Sequence, residues 1–490
     1  MNELFYGDNL DILHSGKIPD NSVDLCYIDP PFNSKRNYNQ IYNRVGEEDL
    51  AQAEAFIDTW IWDDQAKRGY DEIIQNAGGR FTPQLVELVK GLRQVLGGDS
   101  LLAYIVSMAL RVTEIQRVLK PNGTFYLHCD PTAGHYLKLV LDAVFIPNGG
   151  KYRNEIVWCY AGGGIPKRDF PRKHDTIFRY SKGKDVQYKP EYREYTPGTV
   201  QRGRTAIKGK YFKQGLRKEG TPVNDWWADI PKITSPDDPE KLGYPTQKSK
   251  ALLKRIIDCS SEPGDTVLDA YCGCGTTVEV AQELGRRWIG IDITYQSISL
   301  ILYRLEKAFP RNFKDILANI RMDGVPRDMA SAQALSLKAD DRVRKEFEKW
   351  AVLTFTNNHG RISDKKGADR GIDGFAYSQV SSDDNAKIIL QVKSGHVNRS
   401  TIATLRGDMA RENAAMAVLI TLEEPTREMK REASDAGHYR HPLMGRDYPA
   451  IRIVTVQDIL EKNARLDVPL SVNTTKSASA VALDDQINLF

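Results

Sequence analysis

Apolar positions over the first 150 residues follow two alternating periods. VDLCYI at 23–28 is a short apolar run that stops at a proline pair and reads as a strand. LLAYIVSMALRVTEIQRVLK at 101–120 repeats apolar residues every three or four positions, the period of a helix with one buried face. Pro121-Asn122-Gly123 breaks that helix, and TFYLHCD reads as the next strand. HYLKLVLDAVF then returns to the helical period. Strands alternating with helices predict a mostly parallel sheet covered on both faces.

Residues 151–240 lose this rhythm, with frequent Gly and Pro and no long helical period. It resumes at about Tyr244 with KSKALLKRIIDC (helix), DTVLDAY (strand), GTTVEVAQEL (helix) and RRWIGIDI (strand). A helix-rich connection runs to about Leu335. RVRKEFEKWAVLTF then opens a further α/β segment that ends near Leu466. The tail SVNTTKSASAVALDD is polar and small, with too little apolar content to fold alone.

At 490 residues the chain exceeds one typical core, so two or three domains are expected. Its 41% hydrophobic and 27% charged content is that of a globular protein in water. No apolar run reaches about 18 residues, and MNELFYGDNLDI carries acids where a signal peptide needs cations. A cytoplasmic location is the expectation. The six cysteines show neither C-x-x-C pairs nor histidines at zinc spacing, which argues against disulfides and structural zinc. Charge is uneven: Lys151 to Lys218 holds 18 Lys and Arg against 6 Asp and Glu, with 11 aromatic residues interleaved. Such a stretch suits a surface that grips phosphates and contacts bases; it equally describes a solvated basic insertion.

DTVLDAYCGCGTT places a strand, a Gly-punctuated loop and a helix in succession, which brings backbone close to a nucleotide-like ligand. The next strand ends in GIDI, where Asp292 is placed to accept hydrogen bonds from ribose hydroxyls. The loop lacks both the G-x-G-x-x-G order and a Walker lysine, which disfavours phosphate binding. Asp29-Pro30-Pro31-Phe32 follows the strand VDLCYI. Two prolines fix the backbone and remove two donors, leaving rigid carbonyl acceptors beside a carboxylate. An exocyclic amine can be oriented by such acceptors, and Phe32 can stack on a base.

Together DPPF, DAYCGCGTT, GIDI, YGDNLDIL and YPTQKSKALLKRII resemble the S-adenosylmethionine-dependent DNA amino-methyltransferases. The DPPF type is similar to those that methylate adenine N6. Because the catalytic motif precedes the donor motif, the order resembles the circularly permuted β group. The resemblance covers about residues 1–320. It implies a doubly wound, Rossmann-like sheet with a catalytic half at 1–150, an inserted target-recognition region at 151–243 and a donor-binding half at 244–324. It assigns catalysis to Asp29, Pro30, Pro31 and Phe32. Binding of S-adenosyl-L-methionine falls to Asp8, Lys248, Asp269, Tyr271, Gly273, Gly275, Thr276 and Asp292. Cys274 stands where the family more often has Ser, and Ser249 where Pro is frequent. The implied reaction on double-stranded DNA is base flipping and direct methyl transfer, without a covalent enzyme intermediate. Cytosine N4 is the runner-up substrate, for which Ser-Pro-Pro-Tyr is the family's usual motif.

KKGADRGIDGFAY and KIILQVKSG resemble the D…QxK variant of the PD-(D/E)XK nucleases, especially the Mrr-like group. This implies a smaller α/β nuclease-like domain at 325–466. Asp373 and Gln391 would converge on a divalent metal such as Mg²⁺, with Asp373 its acidic ligand and Lys393 on the same strand face. Glu346 or Glu348 would supply the remaining acid. Gln for Glu removes a charge that a hard cation needs, so a DNA-binding scaffold stands beside a bifunctional restriction-modification enzyme. Within the tail 467–490, QINLF resembles peptides that dock into the bacterial sliding clamp through Gln486, Leu489 and Phe490. The oligomeric state stays open, with a dimer admissible.

Overall fold

The computed structural model describes residues 1–31, 36–44, 47–58, 60–161, 167–202, 216–233, 235, 238–242, 244, 246–337, 341–363, 371–381 and 384–470. Of residues 36–58, 202 and 341–344 it describes the backbone alone. Nine strands form the main sheet in the order Trp226–Trp227, Lys151–Cys159, His174–Ser181, Leu119–Cys129, Val23–Ile28, Thr266–Asp269, Arg287–Asp292, Asn2–Tyr6 and Ile320–Asp323. From Leu119–Cys129 to Ile320–Asp323 all neighbours are parallel. His174–Ser181 joins both of its neighbours antiparallel.

Val23–Ile28 and Thr266–Asp269 are buried at every position, as strands covered on both faces must be. One face carries Asn9–His14, Pro83–Leu96, Ser100–Val118 and Gly134–Phe145, with Ile105, Leu141 and Phe145 in its core. The other carries Lys250–Ser260, Thr276–Glu283 and Tyr295–Ala308, with Ile256, Val278 and Ile301 buried. Between these helices Arg304 donates to Glu279 at 2.6 Å and to the Cys274 carbonyl at 2.7 Å. Both charges are buried, so the pair ties the donor loop to the helix behind it.

Two differences from the sequence reading concern the sheet. The helix ends at Val118, and Pro121-Asn122-Gly123 lies inside the strand Leu119–Cys129 instead of between elements. The pairing absorbs these residues by a shift of register: Val23 faces Leu119 while Leu25 faces Thr124. Second, the long strands of the 151–243 region, Lys151–Cys159 and His174–Ser181, complete the main sheet. The boundary drawn at 150 therefore falls inside it. Several of that region's aromatics are core residues for the same reason: Trp158, Phe178 and Tyr180 are buried, whereas Phe170 and Trp226 face solvent.

A second sheet orders Arg361–Ile362, Gly374–Gln379, Asn385–Lys393, Met416–Thr421 and Ile451–Thr455. Its first two pairings are antiparallel and the last two parallel. The helix Asp341–Phe355 joins the two parts, since Phe347, Trp350 and Leu353 share one apolar cluster with Tyr295, Ile298 and Leu390. Among the described residues no helix is long and apolar enough to cross a membrane.

Candidate active site

Asp29 leaves the carboxyl end of the buried strand Val23–Ile28, the edge where open α/β sheets present ligands. Its side chain is 15% exposed, and its Oδ2 accepts from the Lys248 ammonium. Its Oδ1 is buried and has no hydrogen-bond partner among the described residues. Pro30 is buried and Pro31 half-buried, while Phe32 lies outside the described residues. Lys248 precedes the helix Lys250–Ser260 and also donates to the Thr246 carbonyl at 3.3 Å. The sequence assigned Lys248 to the donor; the fold brings its ammonium to Asp29.

The donor loop connects Thr266–Asp269 to the helix Thr276–Glu283. Gly273 and Gly275 have φ of +48° and +78°, in the left-handed region. A Cβ at Gly275 would also lie 2.6 Å from Ile301 Cγ1, so only glycine fits that approach. Thr276 Oγ1 donates to the Lys248 carbonyl at 3.3 Å, linking the loop to the lysine that meets Asp29. Asp292, half-buried at the end of Arg287–Asp292, accepts from Gly273 N at 2.9 Å and Thr294 N at 3.0 Å. Burial pushes its carboxyl up to about 6.

Asp269 and Asp8 face inward. Asp269 is 4% exposed and accepts from Thr277 Oγ1 at 2.5 Å and Tyr271 N at 3.0 Å, so it braces the loop from below. Burial pushes its carboxyl up to about 7. Asp8 caps the helix Asn9–His14 and accepts from Arg111 Nη2 at 3.1 and 2.9 Å. Arg111 Nε donates to Asn9 Oδ1 at 2.5 Å, and Asn9 Nδ2 donates to the Ala270 carbonyl at 2.7 Å. Asp8 thus acts on the loop through two residues that sequence reasoning missed. An arginine inside the apolar run of the helix Ser100–Val118 was the available signal for Arg111.

A buried polar chain lies beside Asp29 and was also missed. The Tyr27 hydroxyl meets His128 Nδ1 at 2.9 Å, and His128 Nε2 lies 3.2 Å from Asp175. Tyr160 donates to the other Asp175 oxygen at 3.0 Å. Burial pushes Asp175 up, but the His128 hydrogen bond and charge, with Lys248 adding to them, outweigh it and hold the carboxyl below its usual range.

In the second domain Asp373 Oδ2 accepts from Val392 N at 2.7 Å. Burial, followed by the Glu348 charge, pushes its carboxyl up to about 7. Gln391 is buried; its Nε2 donates to the Gly371 carbonyl at 2.5 Å, and its Oε1 has no partner among the described residues. Lys393 is half-buried on the same strand, and its charge pulls Asp373 downward. Glu346 is turned away and accepts from Tyr295 N at 2.8 Å and Lys349 at 2.9 Å. Positions two apart on a helix lie on different faces, so Glu346 and Glu348 cannot both face Asp373. No group of three or more His, Cys, Asp or Glu suited to a metal occurs among the described residues. Gln486, Leu489 and Phe490 lie outside the described residues.

The buried Asp269 predicts a pH effect. Its folded-state value near 7 exceeds the unfolded value of about 3.9, so its contribution to stability is full below about pH 4 and lost as pH rises to about 7. The melting temperature of Asp269→Asn relative to wild type should therefore rise between pH 5 and pH 8. A difference that stays constant across that range would contradict it.

A family model described as DNA methylase matches residues 23–302. A second, described as NACHT-associated inactive restriction endonuclease 1, matches residues 344–461. The chain is 29% identical over 307 residues to the DNA adenine methyltransferase YhdJ of Escherichia coli K12, covering 62% of this chain and 83% of the relative. It is 30% identical over 248 residues to the type II methyltransferase M.HpaI of Haemophilus parainfluenzae, covering 50% and 69%. A solved M1.HpyAVI–SAM complex aligns at a TM-score of 0.34 and 18% identity, over 62% of this chain and 99% of that one, too distant a likeness to say what the present chain binds. With more than half of its length matched, the chain belongs to the DNA methylase family.

Proposed function

We propose that this protein transfers a methyl group from S-adenosyl-L-methionine to adenine N6 in duplex DNA, acting on a base rotated out of the stack. The observation that carries the reading is Asp29: one oxygen is held by Lys248 and the other is buried without a partner among the described residues, at the sheet edge that also holds the donor loop. Such an oxygen costs stability unless a ligand satisfies it.

The residues present fit the donor. Asp292 ends its strand half-buried, Gly273 and Gly275 set the left-handed turn of the loop beside it, and Tyr271 is a half-buried aromatic in the same loop. When bound, the donor supplies an electrophilic methyl group on a sulfonium. Asp29 Oδ1 and the Pro30 carbonyl accept the two amino hydrogens of the base and point its lone pair at that methyl. Positive charge developing on the nitrogen is offset by the Asp29 carboxylate. Oδ1 is also the first acceptor for the proton that the methylated amine sheds. Lys248 keeps the carboxylate in one orientation throughout. The choice of adenine over cytosine N4 rests on Asp at the head of the Asp-Pro-Pro-Phe tetrapeptide and on the adenine methyltransferase relative.

The C-terminal domain is read as a DNA-binding module that does not cut. Gln391 is neutral where a hard cation needs charge, so the pair makes a poor site for one, and no hydrolytic step is derived through Mg²⁺. The C-terminal QINLF is read as a docking peptide for a sliding clamp, with a Leu-Phe pair for a small apolar pocket.

Asp29→Asn should abolish methyl transfer to DNA while equilibrium binding of radiolabelled donor persists within about threefold; methylation at the wild-type rate would refute the assignment. Unmethylated plasmid incubated with the full-length protein and Mg²⁺ or Mn²⁺ should stay supercoiled. Metal-dependent nicking that disappears in Asp373→Ala would instead establish a nuclease. Removal of residues 486–490 should eliminate retention on immobilised clamp, and unchanged retention would sink that reading.

A further inference from the structure

Glu346 belongs in sequence to the nuclease-like domain, yet its contacts are with the methyltransferase. Its Oε2 accepts the Tyr295 backbone N–H at 2.8 Å and lies 3.4 Å from the Tyr6 hydroxyl. Tyr295 is the first residue of the helix Tyr295–Ala308, where a backbone donor has no partner within the helix. The same helix is held a second time, because the Tyr295 hydroxyl meets Thr354 Oγ1 at 3.1 Å. Tyr6 packs edge-on against Tyr295 with ring centroids 6.0 Å apart. Both tyrosines adjoin Asp292: Tyr6 is paired with it across the sheet, and Gly7 N donates to its carbonyl at 2.9 Å. Thr294, which caps the helix, donates its N–H to the Asp292 carboxylate at 3.0 Å.

The turn 292–295 is therefore fixed from one side by the main sheet and from the other by the helix Asp341–Phe355. We propose that Glu346 is a positioning residue for the methyl donor, and that the C-terminal domain completes the wall behind the donor's ribose. This rests on the reading of Asp292 as the ribose acceptor. Without Glu346 the Tyr295 N–H is left unsatisfied in a half-buried place and the turn is free to move. Thr294, and with it the orientation of the Asp292 carboxylate, then loses its support. A charge-assisted hydrogen bond to a backbone donor is strong enough for its loss to be read in donor affinity.

The test uses full-length Glu346→Ala, Glu346→Gln and Asp292→Ala, with equilibrium binding of radiolabelled donor in the absence of DNA, whose Kd should shift in step with the donor KM, beside KM for donor, KM for DNA and kcat at saturating donor. Glu346→Ala should raise the donor KM roughly tenfold, the scale of one lost charge-assisted bond, with kcat and the DNA KM within about twofold. Glu346→Gln keeps an oxygen for Tyr295 N and should stay within about threefold of wild type. An unchanged donor KM in Glu346→Ala beside a raised one in Asp292→Ala overturns this proposal alone. An unchanged donor KM in Asp292→Ala overturns the ribose reading and the proposal with it. Joint loss of kcat and both KM values, as general destabilisation gives, also overturns it. Should Glu346→Ala fail to fold, Thr354→Val decides: a raised donor KM supports the proposal and an unchanged one refutes it.

Discussion

The Asp29–Lys248 pair joins the two halves of the methyltransferase at the point where the sheet is most buried. Its members come from opposite sides of the 151–243 region, and the strand behind Asp29 pairs directly with the strand behind the donor loop. A buried ion pair is seldom worth its desolvation as a stabilising device, because apolar residues of similar volume often do as well. This pair makes sense as a device for orientation. Lys248 occupies one oxygen of the carboxylate and leaves the other without a partner among the described residues.

Around that pair the polar groups are arranged by depth. Asp269, Asp8, Arg111 and Asn9 are satisfied by the protein itself and hold the donor loop. Asp292 lies closer to solvent at its strand end. On the other side, Tyr27, His128, Asp175 and Tyr160 form a chain that makes a rigid wall beside Asp29. Tyr160 stands half-buried at the end of that chain. The shared apolar cluster means that the C-terminal domain is packed into the enzyme and is not an appendage on a linker.

Much of this was legible because it is local. The helices Ser100–Val118 and Gly134–Phe145 and the strands Val23–Ile28 and Arg287–Asp292 are announced by period and punctuation, and the Gly-rich loop by its residues. What was not legible depends on pairing between distant segments. The strands Lys151–Cys159 and His174–Ser181 carry mixed polar and apolar residues, and only the antiparallel docking of His174–Ser181 between Leu119–Cys129 and Lys151–Cys159 shows why Trp158 and Tyr180 are buried. Lys248 was grouped with the donor because its motif neighbours the donor half in sequence, although its ammonium reaches across to residue 29. For Glu346 and Glu348 the sequence offered no means of choice; helix geometry turns one toward Tyr295 and leaves the other to act on Asp373.

The central claim is that the arrangement around Asp29 methylates the exocyclic amine of adenine. It is tested most directly by incubating the full-length protein with unmethylated duplex DNA and S-adenosyl-L-methionine, digesting the DNA to nucleosides and identifying the product by mass spectrometry. N6-methyldeoxyadenosine, formed only when the donor is present, is the predicted result. N4-methyldeoxycytidine as the product, or no methylated nucleoside at all, would contradict it.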